Sequence, residues 1–132
     1  MRKFKFQKLV RDLIIDQMIF GGAEPTYHEL SNEEHLGELK KKVLEEASEM
    51  NINDKDELLK ELADLQEVID ALVKTINKTP TDLKSAQDRK HQKAGGFDRK
   101  LYIDHVSVLD DDPWIKHFLD NPDRYPEIID EL

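Results

Sequence analysis

Leu58-Leu59-Lys60-Glu61-Leu62-Ala63-Asp64-Leu65-Gln66-Glu67-Val68-Ile69-Asp70-Ala71-Leu72-Val73-Lys74-Thr75-Ile76 carries the most regular pattern in the chain. Leu58, Leu62, Leu65, Ile69, Leu72 and Ile76 alternate in steps of four and three, the spacing at which side chains share one face of an α-helix. A continuous apolar seam of this length predicts a helix that packs against others. Asp54 and Glu57 ahead of it read as a cap, after a short break at Asn51-Ile52-Asn53.

Working outward, Ser31 fits a helix N-cap with Glu34 as its capping-box partner. Leu36, Leu39, Val43, Ala47 and Met50 then repeat at helical spacing, to about Met50. On the other side, Thr79-Pro80 opens a further helix, proline suiting the first helical position and threonine the cap. It ends near Ala94, at Gly95-Gly96. Lys8 to Phe20 reads as a first helix stopped by Gly21-Gly22, and Ala23 to Leu30 as irregular. Leu101 to Val108 alternates in the manner of a short strand. Asp112-Pro113-Trp114 begins a small final helix, and Pro122 and Pro126 break up the tail. Short connections favour an all-α antiparallel helical bundle of about four helices with a short C-terminal extension. The long seam on so small a chain predicts completion by a homodimer or higher homo-oligomer.

The 132 residues include 20 basic and 29 acidic side chains, a formal net charge of −9. That balance argues against a nucleic-acid binder working through a basic surface. The chain has no cysteine, which excludes disulfides, thiolate metal sites and a cysteine nucleophile. No apolar run reaches membrane-span length and the N-terminus lacks a signal-peptide core, so the expected location is cytoplasmic, away from membranes.

Two acidic motifs stand out, Glu46-x-x-Glu49 and Glu61-x-x-Asp64. Residues three apart lie one turn apart on the same helix face, so each pair aims two carboxylates at one region. Glu61 and Asp64 fall roughly 60° and 120° to one side of their seam, and Glu46 and Glu49 roughly 80° and 140° to the same side of theirs. Packed antiparallel, the two boundaries form the walls of one cleft. None of the five histidines follows a glutamate by three residues, as a di-iron bundle site requires. An all-carboxylate set points to Mg²⁺, with Mn²⁺ the alternative, and hence to phosphate chemistry. With 37% of residues charged, such acids are also the ordinary furniture of a solvated helix face.

Glu45-Glu46-x-x-Glu49 followed by Glu61-Leu62-Ala63-Asp64 resembles the signature of the all-α nucleoside triphosphate pyrophosphohydrolases, the MazG-like superfamily. Lys8-Leu9-Val10-Arg11-Asp12 looks like the opening motif of its small house-cleaning branch, the phosphoribosyl-ATP pyrophosphohydrolase-like proteins. Lys93-Ala94-Gly95-Gly96-Phe97 looks like that branch's closing segment. The resemblance spans roughly residues 7 to 105. It implies a family-like domain over 1–106, with a C-terminal extension over 107–132 that has no counterpart. It also implies Mg²⁺-dependent hydrolysis of a nucleoside triphosphate, non-canonical or surplus, to the monophosphate and pyrophosphate by metal-activated water. By position, Glu46, Glu49, Glu61 and Asp64 would be metal ligands. Glu45 would be an auxiliary catalytic acid that orients or deprotonates the attacking water. The opening motif often continues Lys-Ile-Pro, whereas Leu13-Ile14-Ile15 follows here, leaving one cation fewer. The rivals are a phosphoribosyl-ATP pyrophosphohydrolase of histidine biosynthesis and a catalytically silent helical interaction module.

Lys8 and Arg11, three apart, are candidate substrate-binding cations or plain surface ion pairs, with Asp12 orienting one of them. Arg89 and Lys93, four apart, are candidate phosphate ligands or solvated cations near a helix C-terminus, where the dipole favours them. Lys42, one turn before Glu46, fits an ion pair better than a phosphate contact. Phe97 fits the core better than a stacking platform. Trp114, Phe118 and Tyr125 in the tail are free to cover the bundle, pad a dimer interface or cap a pocket.

Overall fold

The computed structural model describes residues 1–130. It contains five α-helices and no β-strand among the described residues: α1 Ile14–Phe20, α2 Asn32–Ser48, α3 Lys55–Thr75, α4 Pro80–Ala94 and α5 Trp114–Asp120. No helix among them is long and apolar enough to cross a membrane. The chain divides into two compact units, Met1–Ala94 and Gly95–Leu132.

In the first unit, local chemistry sets the helix ends. Ser31 Oγ accepts from the Glu34 N–H while Glu34 returns the bond to the Ser31 N–H, the reciprocal capping box the sequence implies. Asp54 accepts from the N–H groups of Asp56 and Glu57 and so starts α3. Thr79 and Asp82 form a second reciprocal box at the head of α4, with Pro80 as its first residue. Both box acids, Glu34 and Asp82, are held below the usual carboxylate range, first by the backbone N–H each accepts. α3 ends in a Schellman motif: Lys78 N–H reaches Val73 O, Asn77 N–H reaches Lys74 O, and Asn77 takes the left-handed conformation at φ +59°. α1 ends the same way, with Gly22 at φ +91°.

Helix packing in this unit joins α2 to α3, and more lightly α3 to α4. Among the described residues two apolar side chains are buried, Leu39 on α2 at 3% exposure and Val73 on α3 at 9%. The rest of the α3 seam is half-covered, and Leu62 and Ile76 stay 44% and 53% exposed.

Three local expectations change. α1 begins at Ile14, not Lys8: Gln7 sits at φ +48°, and Lys8 and Arg11 are ion-paired to Glu45 and Asp64. Leu101–Val108 forms no strand, since a strand needs a neighbour for its backbone groups and no described segment pairs with it. Phe97, expected in the core, is 97% exposed.

In the second unit, α5 starts where Asp112 accepts from the Trp114 N–H at 2.8 Å. The tail aromatics gather on one another: Phe118 and His117 each lie 5.2 Å from Tyr125 by ring centroid, and Trp114 stacks on Phe118 at 6.0 Å.

Candidate functional site

The α2–α3 hairpin carries both acidic motifs, Glu46 and Glu49 at the end of α2 and Glu61 and Asp64 early in α3. Because the connection is short, the end of one helix faces the start of the next. Glu46 is half-buried and its carboxyl is pushed above the usual range, first by burial and then by the negative charges of Asp64 and Glu49. Glu46 thus lies within electrostatic reach of an acid on the other helix. Glu61 serves the turn instead: its Oε2 accepts from the Asn51 N–H at 2.6 Å.

The N-terminal segment brings cations to this face. Lys8 Nζ donates to Glu45 Oε1 at 3.0 Å, and Arg11 donates to Asp64 Oδ1 at 2.9 Å. These contacts join residues 37 and 53 positions apart. Lys42 adds a second cation on Glu45, 3.6 Å from Oε2. Its partners hold Glu45 below the usual carboxylate range, the Lys8 hydrogen bond leading and Lys42 next, and Lys8 is raised in return. Neighbours in sequence, Glu45 and Glu46 are thus shifted in opposite directions by opposite surroundings.

Of the residues singled out from sequence, Lys8 meets Glu45 and Arg11 meets Asp64. Glu61 lies at the edge, bound to the turn. Arg89 and Lys93 are exposed on α4 and form no ion pair among the described residues. A cleft of about 200 Å³ opens between the N-terminal segment and α2, lined in part by Lys8, Lys41, Lys42, Glu38 and Glu45. Lys41 and Glu38 escaped the sequence reading, because in so charged a chain a Glu-x-x-Lys pair carries no mark of its place.

Carboxylate oxygens are the donors that Mg²⁺ or Mn²⁺ prefers, so the chemistry of this set fits a hard divalent cation. Its arrangement is an ion-paired cluster: among the described residues no three acidic or histidine side chains converge as a metal site would require. Asp64 is turned to Arg11, Glu61 to Asn51 and Glu45 to its two lysines.

No protein-family model matches this chain, and neither does any curated protein or solved structure.

Proposed function

We propose that the chain is a Mg²⁺-dependent nucleoside triphosphate pyrophosphohydrolase, releasing pyrophosphate from a surplus or non-canonical nucleotide. One observation carries the reading. Two cations of the N-terminal motif cross 37 and 53 positions of sequence to acids on α2 and α3, which supports a site pairing cations suited to phosphate with acids suited to a metal. Glu46, Glu49, Glu61 and Asp64 would hold the metal once Asp64 turns from Arg11 and Glu61 from Asn51. A divalent cation held there would neutralise charge on the phosphates and lower the pKa of a bound water. Lys8 and Arg11 hold phosphate oxygens, the guanidinium offering a bidentate fork. Glu45 orients its lysines, for both of its oxygens already face ammonium groups.

The working unit in this reading is a homodimer. A domain of this length ordinarily buries roughly two-thirds of its unfolded surface, whereas Leu39 and Val73 alone are buried here among the described residues. A second copy lying on the uncovered α3 seam supplies the missing cover. Sedimentation of the wild type against Leu62→Glu reads this directly: a dimer that the variant turns into monomer is the expected outcome.

The deciding experiment measures pyrophosphate release from canonical, oxidised, deaminated and halogenated triphosphates and from phosphoribosyl-ATP, with and without Mg²⁺. Metal-dependent release from a triphosphate is expected; release from phosphoribosyl-ATP alone would move the assignment to histidine biosynthesis. The ion-paired, unconverged acids favour a second reading, a silent helical interaction module. That module would show no release from any substrate and no Mg²⁺ effect on melting temperature.

A further inference from the structure

We propose that the cleft between the N-terminal segment and α2 is a subsite for a phosphate chain, with Lys8, Lys41 and Lys42 as its cations and Glu38 and Glu45 as positioning residues. This deepens the proposed function and rests on reading the α2–α3 acid face as a site for phosphate chemistry.

The chain as a whole carries a net charge of −9, yet three lysines and two glutamates border this cleft. Each ammonium is held by a carboxylate that also lines it: Lys41 by Glu38 at 2.9 Å, Lys8 by Glu45 at 3.0 Å, and Lys42 by the other oxygen of Glu45 at 3.6 Å. An ammonium has three donors, and one carboxylate contact leaves the others for an anion. A lysine already anchored by one bond loses less freedom when it meets a phosphate, which is the advantage of pre-organisation.

Position and size narrow the ligand. Glu45 immediately precedes Glu46, and Lys8 and Arg11, three residues apart, bond to Glu45 and Asp64, so the cleft adjoins the acid face. At about 200 Å³ it is smaller than pockets that engulf a whole ligand, roughly 300–1,000 Å³. It suits one or two phosphate groups, not an entire nucleotide. Glu45 is then a positioning residue, fixing two ammonium groups around the anion.

The test is calorimetric titration of the full chain with inorganic pyrophosphate in EDTA. The wild type binds, and the Lys41→Gln/Lys42→Gln double variant binds about tenfold more weakly or worse, the scale set by lost charge-assisted hydrogen bonds. Lys42→Arg, which keeps the charge, stays within about threefold of wild type. Lys60→Gln breaks a similar i,i+3 pair with Glu57 outside the cleft, and its affinity is unchanged. Glu45→Gln separates positioning from repulsion: weaker binding supports the role, and tighter binding, as removal of a nearby negative charge would give, overturns it. No binding by the wild type, or equal loss in the double variant and Lys60→Gln, also overturns the proposal. The two readings fail separately. Lysine-dependent pyrophosphate binding without triphosphate hydrolysis keeps the subsite and rejects the hydrolase, while hydrolysis with unaltered affinity in the double variant does the reverse.

Discussion

The α2–α3 hairpin and α4 begin with equally good helix chemistry and end differently. Each of the three helices starts on a side-chain cap, yet the hairpin holds both buried residues and α4 holds none. The reason lies in what each helix has to bury. α3 offers an unbroken seam, whereas α4 offers little beyond Leu83, itself 37% exposed. Capping decides where a helix begins, and apolar surface decides whether anything grips it. The charges follow the same division. Cations that reach the hairpin are paired with its acids, while Arg89 and Lys93 on α4 stay in solvent.

The largest effect expected of this contrast is catalytic. Glu46→Gln and Asp64→Asn should each lower turnover by about 10²–10³-fold, as loss of a transition-state electrostatic contact does, with helical content by circular dichroism unchanged. Wild-type rates in both variants would remove the hairpin acids from the site. Next comes stability. Leu39→Ala should cost about 2–4 kcal/mol in denaturant unfolding, and Leu83→Ala no more than about 1 kcal/mol; equal costs would mean α4 is gripped after all. Third, Lys8→Ala and Arg11→Ala should raise KM about tenfold, against less than about twofold for Arg89→Ala and Lys93→Ala. A matching rise from α4 would place that helix in the site and break the contrast.

The smallest effect is the sharpest. Because Glu46 is raised above its usual pKa by burial and by Asp64 and Glu49, the folded state holds its proton more tightly than the unfolded one. Stability from this group therefore falls as pH rises from the usual carboxylate range through its raised value. Glu46→Gln removes that fall and should raise Tm at neutral pH by about 1–2 °C without metal, the scale of one relieved like-charge pair. Glu45 runs the other way. Its pKa is lowered by Lys8 and Lys42, so its contribution is present above the usual carboxylate range and lost as pH falls through the lowered value. Melting curves of Glu45→Gln and Glu46→Gln across mildly acidic pH should diverge in opposite senses.

Caps and seams were legible in the sequence because they are local: Ser31 with Glu34, Asp54 with Glu57, and the Leu58–Ile76 run all depend on residues within a few positions. That α2 and α3 would pack against each other was legible too, since apolar seams joined by a short turn meet. The N-terminal segment was not. Its residues read as helical by pattern, but two long-range ion pairs hold Lys8 and Arg11 on other helices, and no local rule reports a contact 53 positions away. Leu101–Val108 had the alternation of a strand without a partner, which pattern alone does not reveal. Asn51 on Glu61 was hidden for a similar reason, a backbone N–H in a turn carrying no side-chain signature.

The N-terminal attachment has a consequence for how the protein answers its medium. Lys8 and Arg11 are more than half exposed where they meet their acids, and exposed charges are screened over about 8 Å at physiological ionic strength and about 3 Å in molar salt. Contact between apolar helix faces strengthens, if anything, when excluded salts are added. One molecule thus carries two fastenings with opposite salt responses, and rising sulfate should loosen residues 8–11 while the hairpin tightens. Hydrogen exchange of those two regions along a sulfate series would show the crossing, and parallel responses would mean that the ion pairs do not hold the segment.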